Sequence, residues 1–255
     1  MKRIFSFFVV LMLLGCAGKG AGSGSGEKLS IAESRYKMGL AYLSSDADHR
    51  AYTELNGALE LFPEDDRYLY TMGLFFIKKE RYTEALPFVK KALDKKPADS
   101  EYINAYATVL AGLGNVDEAV SYWDKVIADP GYPYHIIALY NAGNALYSAG
   151  RYSLVPSYID RALEINRRYA EAYRLLFNSF IKNGNKAKAE ETVLRAVNTL
   201  PDDPYFLLLA GEFYFDHQSY AKAVPFLERL MDSYPDTQEG KRAKELMKRL
   251  GLMNE

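Results

Sequence analysis

Few residues in this chain combine a type and a spacing that could do chemistry. The three histidines, His49, His135 and His217, lie far apart, with no His-Glu-x-x-His pair or other metal-ligand spacing. Cys16 is the only cysteine, which rules out an intramolecular disulfide. Adjacent carboxylates at Asp65-Asp66 and Asp202-Asp203 sit just after Pro63 and Pro201, where helix N-caps and first turns favour acidic side chains over acid–base work. Residues 18–26 (GKGAGSGSG) lack the Gly-Lys-Ser/Thr ending and the preceding strand of a phosphate-binding loop, and read as a flexible tether. No Gly-x-Ser-x-Gly elbow is present. The chain therefore reads as a non-enzyme, with no metal, cofactor or small-molecule substrate to assign.

The cysteine is informative through its context. Lys2 and Arg3 precede an apolar run at 4–14, a length suited to a signal peptide and too short for a lasting membrane span. Leu13-Leu14-Gly15-Cys16 resembles a bacterial lipobox. That resemblance implies cleavage before Cys16, a diacylglycerol on its thiol, and a further acyl chain, such as palmitate, on the freed amino group. Two or more such chains give stable anchoring. Ala17, rather than aspartate, follows the cysteine, which in Gram-negative lipoproteins implies transfer to the outer membrane. Residues 1–15 are then a signal peptide and 16–30 a lipidated cysteine with its linker. Loss of 1–15 leaves 30 basic against 33 acidic residues, a formal charge of −3, and no nucleic-acid footprint.

The rest of the chain repeats. Gly39, Gly73, Ala107, Gly143, Phe177 and Gly211 follow one another at steps of 34, 34, 36, 34 and 34. Twelve residues behind run Ala51, Ala85, Ala119, Val155, Ala189 and Ala223; nineteen behind run Ala58, Ala92, Val126, Ala162, Ala196 and Leu230. Pro63, Pro97, Pro130, Pro201 and Pro235 mark the junctions. Such a period means tandem helical hairpins, none able to bury its apolar face alone. Small residues are expected where paired helices approach, with Gly39 facing Ala51 and Gly73 facing Ala85. Large ones three residues on, such as Tyr42, Phe76, Leu110 and Tyr214, fill the spaces between units. Gly114-Asn115, Gly150-Arg151 and Gly184-Asn185 supply turns within hairpins. Pro87, Pro156 and Pro225 are expected early in second helices, where N–H groups lack an intrahelical acceptor.

This pattern resembles the tetratricopeptide repeat, in six units at 32–65, 66–99, 100–135, 136–169, 170–203 and 204–237. It implies an all-α, right-handed superhelical solenoid of six helix pairs over 31–237. Residues 238–255, with Ala243, Leu246, Met247 and Leu250, form a capping helix. In such repeats the first helices line a concave groove. Its expected lining is Tyr36, Leu40, Leu43, Tyr70, Leu74, Ile77, Asn104, Tyr140, Asn144, Tyr147, Arg174 and Asn178. Arg174 with Asn178 resembles part of the clamp by which some of these domains hold a chain terminus, although Leu209 stands where a matching amide is wanted.

Lipobox, short linker and six such repeats together resemble the type IV pilus pilotins, the PilF/PilW/Tgl family. The lengthened junction Asp129-Pro-Gly-Tyr-Pro133 resembles one found between the same repeats in that family. The resemblance implies an outer-membrane lipoprotein, anchored by lipid on Cys16, that helps the type IV pilus secretin reach that membrane and assemble into a ring. The last repeat, Tyr220 to Asp236, is similar instead to the Tyr-Pro-ending repeats of the BamD-type outer-membrane assembly lipoprotein. An envelope scaffold of another purpose is a third reading.

Overall fold

The computed structural model describes residues 23–253, which form thirteen α-helices and, among those residues, no strand. Cys16, the signal segment and the start of the linker lie outside the described residues. The first hairpin pairs α1 (Ser23–Ser44) with α2 (Asp48–Leu61), and the second pairs α3 (Asp66–Lys78) with α4 (Tyr82–Lys95). The third joins α5 (Ser100–Gly112) to α6 (Val116–Ala128), and the fourth α7 (His135–Ser148) to α8 (Pro156–Ile165). The fifth and sixth are α9 (Ala170–Lys182) with α10 (Lys186–Thr199) and α11 (Pro204–Asp216) with α12 (Tyr220–Ser233). The capping helix α13 is Gln238–Arg249. Two boundaries differ from the sequence reading. Residues 23–30, assigned to the linker, belong to α1, and the cap ends at Arg249 in a turn with Gly251 at φ +71°.

Aspartates cap three of the first helices, at the expected Asp65 and Asp203 and also at Asp99, whereas α7 and α9 follow Tyr134 and Tyr169 without a side-chain cap. Asp65 accepts from the Arg67 and Tyr68 amides, Asp99 from those of Glu101 and Tyr102, and Asp203 from that of Tyr205. The turns within hairpins are more uniform than their sequences. Asp46, Glu80, Gly114, Gly150, Gly184 and Gln218 all have positive φ, and the three that are not glycine each sit at 56°. In every case the next amide reaches back to the carbonyl of Tyr42, Phe76, Leu110, Leu146, Phe180 or Tyr214, at 2.8–3.0 Å. This is the Schellman closure, and it satisfies carbonyls that the helix end would otherwise orphan.

Close helix approach depends on the glycines, though not opposite the alanines the sequence suggested. A Cβ on Gly73 would lie 2.4 Å from Val89, and one on Gly39 2.7 Å from Leu55; Gly143 meets Ile159 and Gly211 meets Leu227 in the same way. Each partner is sixteen residues on, rather than twelve. Ala51 and Ala85 are fully buried, but they are not the nearest groups. Pro156 is the first residue of α8, after a 3-10 turn at Tyr152–Leu154, and so costs no hydrogen bond. Pro87 and Pro225 contradict the expectation for them. Ala85 and Ala223 already bond back to Arg81 and Ser219, so each later proline leaves an available carbonyl without its amide partner.

The buried apolar side chains form two clusters that divide within α7 and are bridged by the half-buried Val116, Val120 and Tyr158; Ala243, Leu246 and Met247 of α13 close the C-terminal end. Arg242 of α13 donates to Glu212 on α11 at 2.9 Å. Ion pairs such as Glu33–Arg67, Asp46–Lys78, Asp117–Arg151 and Glu190–Lys222 join residues about one repeat apart on the surface. Exposed pairs of this kind contribute on the order of 0–1 kcal/mol each and set register more than stability. No helix among the described residues is long and apolar enough to cross a membrane.

Candidate binding groove

Helix α1 packs on α3, α3 on α5, α5 on α7 and α7 on α9, while the backbones of successive second helices stand apart and meet through side chains such as Tyr158–Asp124 and Arg195–Asp160. First helices therefore form an inner row and second helices an outer one. Between α9 and α11 the backbones stand apart, and aromatic side chains bridge them. Tyr173–Phe206 and Phe177–Phe213 have ring centroids 6.1 and 5.9 Å apart. Phe177, standing at a glycine-type position, thus packs forward onto the next repeat.

The expected groove residues divide into two sets. Tyr36 packs on Tyr68 with tilted rings 4.8 Å apart and hydrogen-bonds the Thr71 hydroxyl at 3.3 Å. Tyr70 packs on Tyr102 with tilted rings 4.7 Å apart, and burial pushes its phenol above the ordinary value. Tyr140 and Tyr147 lie against Tyr169 and Tyr152, both at 5.2 Å. Leu43, Leu74 and Ile77 are half-buried against the core. Asn104 accepts from the Trp123 indole at 2.9 Å, which engages its side-chain carbonyl. Arg174 lies over the Tyr205 ring at 5.2 Å, an aromatic contact in place of a paired clamp. Leu40, Asn144 and Asn178 are exposed, and the two asparagine amides are unengaged among the described residues.

Sequence reasoning missed two kinds of residue that shape this face. The first is a tyrosine–carboxylate link between repeats. Tyr68 donates to Glu33 at 3.0 Å, Tyr102 to Asp66 at 2.6 Å and Tyr214 to Glu190 at 2.7 Å. Burial first, and then the bonded carboxylate, push the Tyr68 phenol up to about 12. Glu33 moves the other way, held below its ordinary value chiefly by hydrogen bonds from Arg67 and Tyr68. A tyrosine about one period after an acid was the available signal for Tyr68 and Tyr102, 35 and 36 residues after their partners, whereas Tyr214 lies 24 residues after Glu190 and carries no such signal.

The second is Trp123, the only tryptophan. It occupies the position that in the other hairpins holds Leu55, Val89, Ile159, Val193 and Leu227, sixteen residues after Ala107. It is buried, and it lines a cleft of about 460 Å³ between α5 and α7. The lengthened junction lies at the opposite end of these two helices. There Tyr132 is buried, Asp129 accepts from Ser100 at 2.6 Å and from the Gly131 amide, and a His135 ring nitrogen bonds the Asp129 carbonyl at 2.7 Å.

An inner row of first helices, interlocked by aromatic rings, is the architecture of a protein-interaction solenoid. Models of the tetratricopeptide repeat match residues 36–100, 105–173 and 174–236, and the chain belongs to that family. Repeats of this family are characteristically protein-interaction modules. In structure the chain is similar to PilW, described as a widely conserved type IV pilus biogenesis factor. The TM-score is 0.68 at 21% identity, covering 84% of this chain and 98% of that one. It is also similar to PilF of Pseudomonas aeruginosa, at TM-score 0.62 and 18% identity over 87% of this chain and 99% of that one. A tetratricopeptide repeat protein of Parabacteroides merdae gives 0.61 at 17% identity, covering 88% of each chain.

Proposed function

We propose that this protein is a pilotin: a lipoprotein held at the outer membrane by lipid on Cys16, which captures the type IV pilus secretin and promotes its assembly. The observation that carries this reading is a fold like that of PilW over nearly all of that chain, joined to a lipobox-like Leu-Leu-Gly-Cys directly before the solenoid. The division of labour follows from the parts. The lipid gives the address, the short glycine-rich segment at 17–22 gives reach, and the inner row of helices presents a rigid surface to a secretin segment. Association would be non-covalent, with most of the affinity in a few well-buried contacts.

The deciding experiment measures heat- and detergent-resistant secretin multimer in membranes of a deletion strain. Loss of multimer with other outer-membrane barrels at normal levels is the expected result. Normal multimer with depleted barrels would replace this reading with a general barrel-assembly role. Normal levels of both would leave an envelope scaffold. Cys16→Ala is expected to leave an unacylated, mislocalised precursor, and finding it still acylated would remove the anchor from the account.

A further inference from the structure

The cleft between α5 and α7 has a composition that defines its occupant. Small residues create it: where the second hairpin carries Ile77 and Lys78, the third carries Ala111 and Gly112, facing Ala145 and Ser148 across the gap. The Tyr82 ring lies close on α5 at Gly112, where a Cβ would come within 2.4 Å of it. Although a quarter of the chain is charged, no charged side chain lines the cleft. The Trp123 indole N–H is already given to Asn104, so the ring offers only carbon surface. Asn141 and Asn144 stand three residues apart on one face of α7 and also line it, with their amides unengaged among the described residues.

We infer that this cleft receives one bulky, uncharged side chain, aromatic or branched aliphatic, from an extended polypeptide. The Asn141 and Asn144 amides hydrogen-bond the peptide groups on either side. A charged occupant would lose hydration here without gaining an ion partner. An asparagine amide carries both donor and acceptor, matching a peptide group without reading the side chain attached to it. This inference rests on the inner row being the partner surface, and it adds where, and by what chemistry, the partner is anchored.

Trp123, as the sole tryptophan, is a built-in reporter. The test titrates the full chain in detergent with capped alanine pentapeptides whose central residue is phenylalanine, leucine, alanine, lysine or glutamate. The expected result is a saturable change in Trp123 emission with phenylalanine and leucine, at least ten-fold tighter than with the other three. Ser148→Leu, an exposed position at the rim, should abolish it with unchanged thermal unfolding. Asn144→Ala should weaken all peptides by a similar factor. Equal response to lysine or glutamate, no response to any peptide, or binding that survives Ser148→Leu would overturn the inference. Overlapping dye-labelled peptides of the secretin, with binding read by anisotropy beside Trp123 emission, separate it from the pilotin reading. Secretin peptides that bind without disturbing Trp123 would sink the cleft alone. Phenylalanine-peptide capture with no secretin peptide bound would sink the pilotin reading alone.

Discussion

The first two hairpins and the junction of the third and fourth use the same inner row of helices in opposite ways. In the former, Tyr36 and Tyr68 pack as a tilted ring pair, Tyr70 packs likewise on Tyr102 at the start of the third hairpin, and the hydroxyls of Tyr68 and Tyr102 are given to Glu33 and Asp66, each in the hairpin before. In the latter, alanine, glycine and serine withdraw bulk, one tryptophan lines the space, and two asparagines stand unengaged. Aromatic groups that a groove reading assigns to a partner are largely occupied within the protein. The less conspicuous amides are the free ones. Side chains locked to neighbours give the solenoid its rigidity, and unengaged ones leave it something to bind with.

That contrast is breakable by mutation. Tyr68→Ala should have the largest effect, about 3–5 kcal/mol of stability in urea unfolding, because it empties a fully buried site. Asn144→Ala should stay within about 0.5 kcal/mol in the same assay, as an exposed substitution away from the core. Equal costs at the two sites would erase the distinction between a structural and a free stretch of the row.

Trp123→Phe should cost about 1–3 kcal/mol, since it strips the Asn104 carbonyl of its donor and leaves a void beside the cleft. A neutral result would mean that the indole bond does not hold the cleft in shape. The turns give a smaller contrast. Gly114 has open space around it, so Gly114→Ala should cost only its left-handed backbone, about 1–2 kcal/mol. Glu80→Gly, at φ 56°, should instead stabilise by about 0.5–1 kcal/mol. If both changes moved the melting temperature in the same direction, the shared turn geometry would not be what limits the hairpins.

The smallest effect concerns pH. Hydrogen bonds from Arg67 and Tyr68 depress Glu33, and those from Lys222 and Tyr214 depress Glu190, each below the ordinary 4.5. A carboxylate with a lowered folded-state value favours folding fully above the unfolded value, and that contribution fades as pH falls through the lowered one. The melting temperature should therefore hold steady down to about pH 4.5 and decline below it. Glu33→Gln should flatten part of that decline, and an unchanged acid limb in this variant would show that the inter-repeat tyrosine–carboxylate links carry no pH dependence.

The sequence by itself determined the repeat, its register, the aspartate caps and the closing helix, because those depend on spacings within a few turns of one helix. The glycine turns were legible at Gly114, Gly150 and Gly184. Asp46, Glu80 and Gln218 adopt the same left-handed conformation because the packed hairpin imposes it. The tertiary structure alone decided what each inner side chain does. Whether Tyr70 faces a partner or stacks on Tyr102, and whether Asn104 is free or holds Trp123, depends on residues a full repeat or a neighbouring helix away. The cleft likewise arises from small residues on two helices of different hairpins with a tryptophan from a third. No local pattern encodes it, because it exists only where those helices meet, with Tyr82 of α4 beside them.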